Sequence, residues 1–140
     1  MNWNLELVVV PVSDQDRAKV FYVEKLGWTL LVDHRAGEDF RVVQVLPPGS
    51  ACAIALMRRP DAAGPVQGLH LVVNDIVAAR SELVGRGVEV SELFHFEEGA
   101  QLPGADAERR DYNTFFSFTD PDGTGWMVQE VSRRKGPAPQ

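Results

Sequence analysis

The chain has 140 residues, a formal net charge of −6 and an estimated pI near 5.0, and its 44% hydrophobic and 24% charged residues are typical of a soluble folded domain. Nucleic-acid binding requires clustered positive charge and a membrane-spanning helix requires about 20 apolar residues in a row, so the sequence argues against both kinds of partner. The one cysteine, Cys52, cannot form an internal disulfide, and no secretory signal is recognisable, which together predict a cytoplasmic protein.

The first half of the chain predicts one helix and four strands. Residues 5–12 are apolar and largely β-branched, which favours a strand. Asp14 is placed to cap a helix, and Gly27 suits the left-handed end of that helix. Turn residues then separate three further predicted strands at 28–33, 40–46 and 51–57.

The second half repeats this order at an offset of 61 residues, because the Val-Ser-Asp motif at 12–14 corresponds to Val-Asn-Asp at 73–75. It predicts a strand at 69–73, a helix capped by Asp75, and strands at 88–96, 114–118 and 125–131. The Asp-Pro-Asp-Gly motif at 120–123 suits a tight turn between the last two strands, since proline presets the first turn angle and Gly123 accepts a positive φ.

Residues 97–112 form a polar insertion that is long for a hairpin. Segments of this length are usually solvated mobile loops or functional lids, and the sequence leaves both interpretations open. Arg109 and Arg110 could recognise an anionic ligand group, or could pair with Asp106 or Asp111 at the surface.

The repeat predicts a single domain over residues 1–131. Its first unit spans about residues 5–58 and its second about 67–131, joined by a linker rich in proline and glycine at about 59–66. Residues 132–140 are predicted to be a flexible tail.

These motifs, in this order, resemble those of the vicinal oxygen chelate superfamily, which includes glyoxalase I, bleomycin resistance proteins and extradiol dioxygenases. The matching features are the paired βαβββ units, the Val-x-Asp helix starts, and the Asp-Pro-Asp-Gly turn followed by Trp126 and the Gln-Glu pair at 129–130. The resemblance implies an α+β fold in which two βαβββ units form a cupped, eight-stranded mixed sheet with flanking helices. It also implies a cavity inside the cup and a homodimer in solution.

Metal-dependent members of that superfamily carry histidine, glutamate or glutamine at equivalent points of the two units. The resemblance places these points at Leu7, Ile54, Gly68 and Met127, none of which offers the imidazole or carboxylate donors that such a metal requires. We therefore expect no metal and no other cofactor, which disfavours the lactoylglutathione lyase reaction and leaves the metal-free, drug-binding branch.

Alternation along the predicted strands assigns further residues to the cup. Val9 should share the face of Leu7, His70 that of Gly68, and Gln129 that of Met127. His70 is then either a ligand-orienting group or general base, or a structural histidine bonded to a neighbour.

Three functions remain open at this point. The first is metal-free binding of a small, partly aromatic organic molecule in the cup. The second is an enzyme of isomerase, lyase or dioxygenase type that uses His70 or a displaced metal site. The third is a non-catalytic interaction module. The predicted ligand-binding residues are Leu7, Val9, Ile54, Gly68, His70, Phe116, Phe118, Met127 and Gln129.

Overall fold

The structure is a computed structural model that describes residues 1–59, 61 and 66–132. Most of the predicted linker (60 and 62–65) and nearly all of the predicted tail (133–140) lie outside the described residues. Of the described residues, those in Met1–Val66 and Asp120–Thr124 form one compact unit, which we call unit 1. Those in Gln67–Thr119 and from Gly125 onward form unit 2.

Unit 1 contains a four-stranded sheet in the order β1-β4-β3-β2, in which β1 and β4 are parallel and the other neighbours are antiparallel. Asp14 caps helix α1 as predicted, since its Oδ1 accepts the backbone N–H groups of Asp16 and Arg17. The helix continues as a π-helical turn at Val20–Lys25 and ends at Gly27, whose φ of 76° favours glycine. The elements are β1 (Leu7–Val12), α1 (Gln15–Lys19), β2 (Thr29–Arg35), β3 (Arg41–Leu46) and β4 (Ala53–Arg58).

Tyr22 is the centre of the unit 1 core and is fully buried. Its ring lies 5.2 Å from that of Phe21, edge to face, and 5.2 Å from that of Trp28. The phenol donates a 2.8 Å hydrogen bond to Oδ2 of Asp120, in the turn segment that belongs to unit 1. Burial raises the pKa of the Asp120 carboxyl, against the opposing effect of the Tyr22 hydroxyl.

The Asp-Pro-Asp-Gly turn is stabilised by its own side chains. Asp120 accepts the backbone N–H groups of Asp122 and Thr124, and the N–H of Gly123 bonds to the carbonyl of Asp120 at 3.0 Å. Asp122 accepts hydrogen bonds from the backbone and hydroxyl of Ser13, which anchors the turn within unit 1. Gly123 has a φ of 87°, as the motif predicts.

Unit 2 contains a five-stranded sheet in the order β5-β9-β8-β6-β7, in which β5 and β9 are parallel. Asp75 caps its helix by accepting the N–H of Ala78. The buried face of the sheet carries Phe116, Trp126 and Val128. The elements are β5 (Leu69–Val73), α2 (Ile76–Gly85), β6 (Phe94–Glu97), β7 (Ala100–Pro103), β8 (Phe115–Thr119) and β9 (Gly125–Glu130).

The predicted α+β fold is confirmed, and only the strand count differs slightly from the predicted eight. The described residues form nine strands in two sheets. The ninth strand, β7, arises because the start of the insertion folds back on β6 as a hairpin, with a positive φ at Glu98 and Gly99. The predicted strand at 88–96 is also shorter, since only its end pairs as β6. Within the described residues, no helix is long and apolar enough to cross a membrane.

Side-chain hydrogen bonds connect the rest of the insertion to its surroundings. Asp106 is buried and accepts hydrogen bonds from the guanidinium of Arg110, the amide of Asn113 and the backbone of Glu108. Arg109 donates to the buried carboxylate of Glu130, with 2.7 Å between Nε and Oε1. That carboxylate also accepts the N–H of Ile76 at the start of α2.

We expect the free energy of unfolding to fall in acid because of Glu130 and Asp106. The Arg109 guanidinium holds the pKa of the Glu130 carboxyl below its usual range, and Arg110 does the same for the pKa of Asp106. The unfolded chain therefore binds more protons. The stabilisation is complete above the unfolded pKa of about 4 and is lost as the pH falls through the folded values. Urea unfolding at about pH 7 and about pH 3 measures the loss. A Glu130→Gln variant should depend less on pH, and an unchanged dependence would contradict the assignment to Glu130.

Candidate functional site

The unit 2 sheet has one buried face and one more open face, and its register assigns side chains to each. His70 pairs with Met127 across β5 and β9, and Met127 pairs with Ser117 across β9 and β8. Directly paired residues point to the same side of a sheet, so these three side chains lie in a row on the open face. Leu69, Trp126 and Phe118 form the corresponding row on the buried face.

A cavity of about 680 Å³ lies at the end of the sheet where β5 and β9 begin and β8 ends, and residues of both rows line it. This volume falls within the range of small-molecule sites. Phe118 and Trp126, whose rings stack at 6.3 Å, are among its lining residues, although they are only 4% and 3% exposed. The segment after α2 contributes Glu89, which adds a carboxylate. The lining residues are Gln67, Gly68, Leu69, His70, Glu89, Val90, Ser117, Phe118, Thr119, Gly125, Trp126 and Met127.

His70 carries a polar ring edge at this cavity. Its Nδ1 lies 3.0 Å from the carbonyl oxygen of Gly68, which can only accept, so Nδ1 carries the proton. In the neutral ring Nε2 is then an acceptor, and the side chain is exposed. His70 can accept a hydrogen bond from a ligand hydroxyl or amine, or remove a proton from it.

Two glycines line the cavity where β5 and β9 begin. Gly68 has a φ of 91°, a backbone conformation that side-chain-bearing residues rarely adopt, and it lines the cavity. A Cβ at Gly125 would stand 2.6 Å from Oε1 of Gln67, so glycine at this position lets the Gln67 side chain lie against β9. A Cβ at Gly68 would meet nothing within 4 Å, so the space beside this residue is open, whereas the space at Gly125 is taken by Gln67.

The predicted roles of Phe116 and Phe118 need correction. Phe116 is fully buried and pairs with Val128 on the buried face, so it is a core residue and not a stacking surface for a ligand. Phe118 is also on that face and only 4% exposed, although it is one of the residues that line the cavity. Gln129 shares the open face with Met127 but lies outside the cavity lining, level with Phe115.

In unit 1 the predicted position of Ile54 is wrong by one residue. Ile54 pairs with Val8 and is buried, whereas Leu7 and Val9 pair with Ala53 and Ala55. Because a shift of one residue moves a side chain to the other face, Ile54 packs in the core of unit 1 and not beside Leu7. Leu7 and Val9 are 37% and 49% exposed. Neither lines the unit 2 cavity.

The residues that the resemblance places at the superfamily's metal positions do not fit a metal ion. Leu7 and Ile54 are hydrocarbon, Gly68 has no side chain, and Met127 offers only a thioether. Across residues 1–59, 61 and 66–132, no three His, Cys, Asp or Glu side chains lie close enough to hold one.

The other polar candidates, Arg109 and Arg110, form ion pairs and do not line the cavity. Arg110 pairs with Asp106, as one of the two interpretations predicts, and Arg109 pairs with Glu130. Sequence reasoning missed Gln67, Glu89 and Ser117 at the cavity. Ser117 could have been found by alternation from the core residues that flank it.

Comparison with known proteins agrees with this architecture. TnmS3, described as an antibiotic-binding protein from Streptomyces sp. CB03234, is 31% identical, with a TM-score of 0.72 over 94% of this chain and 98% of its own. A glyoxalase/bleomycin resistance protein from the same organism is 32% identical, with a TM-score of 0.67 over 91% of this chain and all (100%) of its own. YetH of Bacillus subtilis (strain 168) is 25% identical over 126 residues, which cover 88% of this chain and 94% of that protein.

The match to the family is broader than any single motif. Residues 4–128 match the sequence profile of the Glyoxalase/Bleomycin resistance protein/Dioxygenase superfamily, and the two sheets with their capped helices match its fold. The chain therefore belongs to the glyoxalase/bleomycin resistance protein/dioxygenase superfamily.

Proposed function

We propose that the protein binds a small, partly aromatic organic molecule in the unit 2 cavity, without a metal or another cofactor. The observation that carries the proposal is a cavity of about 680 Å³ with mainly apolar lining residues and a few polar groups, among them His70 and Ser117. Apolar walls supply most of the affinity of such sites, and the few polar groups fix the orientation of the ligand.

The comparisons support the choice of ligand class. A structural relative that matches nearly the whole chain is described as an antibiotic-binding protein. The apolar lining residues suit the hydrocarbon part of such a molecule, and the acceptor on His70 suits a ligand hydroxyl. We propose that His70 orients the ligand and that Met127 and Gly68 contact it.

The experiment is a thermal-shift screen of aromatic antibiotics and metabolites, followed by calorimetric titration of each ligand that raises the melting temperature. We expect Ser117→Trp, which fills the cavity, to weaken binding at least about tenfold. Ser81→Trp is the matched control, because Ser81 is exposed on α2 and lies outside the cavity. Equal weakening by the two variants, or no ligand at all, would argue against the proposal.

Metal content decides between this site and the metal-dependent chemistry of the superfamily. The protein is incubated with nickel, zinc, manganese and iron salts, passed through gel filtration and subjected to elemental analysis. Our proposal requires no stoichiometric metal. A bound metal would instead mean that donors other than Leu7, Ile54, Gly68 and Met127 assemble a site.

An enzyme is the second candidate, and the acceptor that Nε2 of His70 offers at the cavity is the observation that favours it. In that case His70 acts as a general base on a ligand held in the same cavity. A His70→Leu variant should then lose turnover while it keeps ligand affinity, whereas an orienting role predicts that the affinity falls instead.

We also propose a cytoplasmic homodimer. The open faces of the two sheets expose apolar side chains, including Leu7, Val9 and Val72, which a two-fold partner can cover. The lone cysteine fits a reducing compartment. Light scattering after gel filtration measures the mass, and a monomer at micromolar concentration would contradict the dimer.

A further inference from the structure

We infer that one end of the unit 1 sheet holds a second binding site, which takes the carboxylate or phosphate group of a small aromatic anion. The site lies at the end of β2, the start of β3 and the end of β4, and its main residues are Arg35 and Arg58. It is separate from the unit 2 cavity and does not depend on the proposed function.

Three arginines stand in a row across these strands. Arg35 pairs directly with Arg41 across β2 and β3. The antiparallel register that pairs Gln44 with Ala55, continued by three residues, brings Arg41 level with Arg58. Paired residues share a face of the sheet, and like charges directly opposite each other are destabilising unless an opposite charge offsets them.

Among the described residues, only the central arginine of the three forms ion pairs. The Asp16 carboxylate also interacts electrostatically with Arg35, and its pKa is lowered mainly by its hydrogen bond with Arg41 and to a smaller extent by Arg35. Arg41 donates two hydrogen bonds of 2.9 Å to the carboxylate of Asp33 and one of 2.7 Å to Asp16 on α1. These carboxylates raise the pKa of the Arg41 guanidinium above its usual range. Arg41 is therefore a structural residue.

The outer arginines have no such partner. Within the part of the chain that the structure describes, Arg35, Arg58 and Arg59 form neither an ion pair nor a side-chain hydrogen bond. Each guanidinium offers five N–H donors in a planar fork and stays charged at every physiological pH. An anion bound between Arg35 and Arg58 would supply the charge that the row lacks.

A cavity of about 390 Å³ lies among these side chains. Gln15 fixes one wall, because its amide donates to the carbonyls of both Arg41 and Leu56 at the ends of β3 and β4. Phe40, which is 50% exposed, lines another part and offers a ring face. Glu38 and Asp39 also line the cavity, and the three unpaired guanidiniums outnumber these two carboxylates.

The chemistry of the lining selects the ligand class. Arginine binds carboxylate and phosphate oxygens through paired, charge-assisted hydrogen bonds. An aromatic ring attached to the anionic group can pack against Phe40. Phenyl phosphate and benzoate carry the two anionic groups on the same ring, and inorganic phosphate lacks the ring.

The test is calorimetric titration of the full chain with phenyl phosphate, benzoate and inorganic phosphate. We expect at least one aromatic anion to bind with a Kd of about 1 mM or lower, and Arg35→Gln and Arg58→Gln each to weaken it about tenfold. Tighter binding of phenyl phosphate than of benzoate identifies a phosphate site, and the reverse order identifies a carboxylate site. Both orders support the inference.

Arg86→Gln is the control, since Arg86 is a partly exposed arginine at the end of α2 in unit 2. Arginine side-chain NMR signals of Arg35 and Arg58 that shift during the titration give a second readout, which does not depend on the stability of a variant. Absence of binding at about 10 mM, or equal weakening by Arg86→Gln, would overturn the inference. Ser117→Trp should leave this binding unchanged, so failure here and failure of the unit 2 cavity are distinguishable.

Discussion

An Arg109→Ala variant should lose about 2–4 kcal/mol of the free energy of unfolding, because it leaves the buried carboxylate of Glu130 without its cation. The Arg109 side chain is 42% exposed, but that of Glu130 is only 3% exposed. The cost therefore comes mainly from the desolvated carboxylate. Urea unfolding followed by circular dichroism measures the difference.

The chain contains a matched control for this prediction. Arg86 is exposed to almost the same degree, at 41%, but its partner Glu82 is 65% exposed. Arg86→Ala should therefore cost no more than about 0.5 kcal/mol. Adding Glu130→Gln to Arg109→Ala should recover part of the stability, because a neutral amide costs less to bury than an unpaired charge. Equal losses for the Arg109 and Arg86 variants would show that burial of Glu130 is not the cause.

A Tyr22→Ala variant should lose about 3–5 kcal/mol, the usual range for removal of a fully buried aromatic side chain. The loss has two parts, since the ring packs against Phe21 and Trp28 while the hydroxyl donates to Asp120. Tyr22→Phe removes only the hydroxyl and should cost about 1–3 kcal/mol. Chemical denaturation of both variants checks the two values.

The pair of Tyr22 variants also guards against a chain that fails to fold. If Tyr22→Ala is unfolded, Tyr22→Phe still reports on the hydrogen bond to Asp120. Phe21→Tyr cannot replace Tyr22→Phe in this test, because the Phe21 ring packs against the Tyr22 ring and belongs to the same cluster. A Tyr22→Phe variant as stable as the wild type would mean that the buried Asp120 carboxyl does not need the phenol.

Local sequence signals predicted the order of the elements correctly except for β7. Asp14 and Asp75 cap their helices, and Gly27 and Gly123 adopt the positive φ that the turns require. These are short-range effects that depend on a residue and its nearest neighbours. Alternation also predicted that Met127 and Gln129 share one face of β9, which is the less buried face of that strand.

Predictions that depended on register or on long-range contacts were less successful. Ile54 was assigned to the wrong face because β4 is buried on both sides over Ala53–Leu56, so its sequence carries no alternation. The pairing of Arg109 with Glu130 joins residues 21 apart in the chain and left no local pattern. The cavity residues Gln67 and Glu89 lie just outside regular elements, where periodicity gives no information.

Unit 1 is discontinuous in sequence, and this has a consequence for any attempt to express it alone. Asp120–Thr124 belongs to unit 1, although the segments on both sides of it belong to unit 2. A gene fragment that stops at residue 66 would encode Tyr22 and Ser13 without Asp120 and Asp122, their hydrogen-bond partners. The two βαβββ repeats in the sequence therefore do not correspond to two separately expressible folding units.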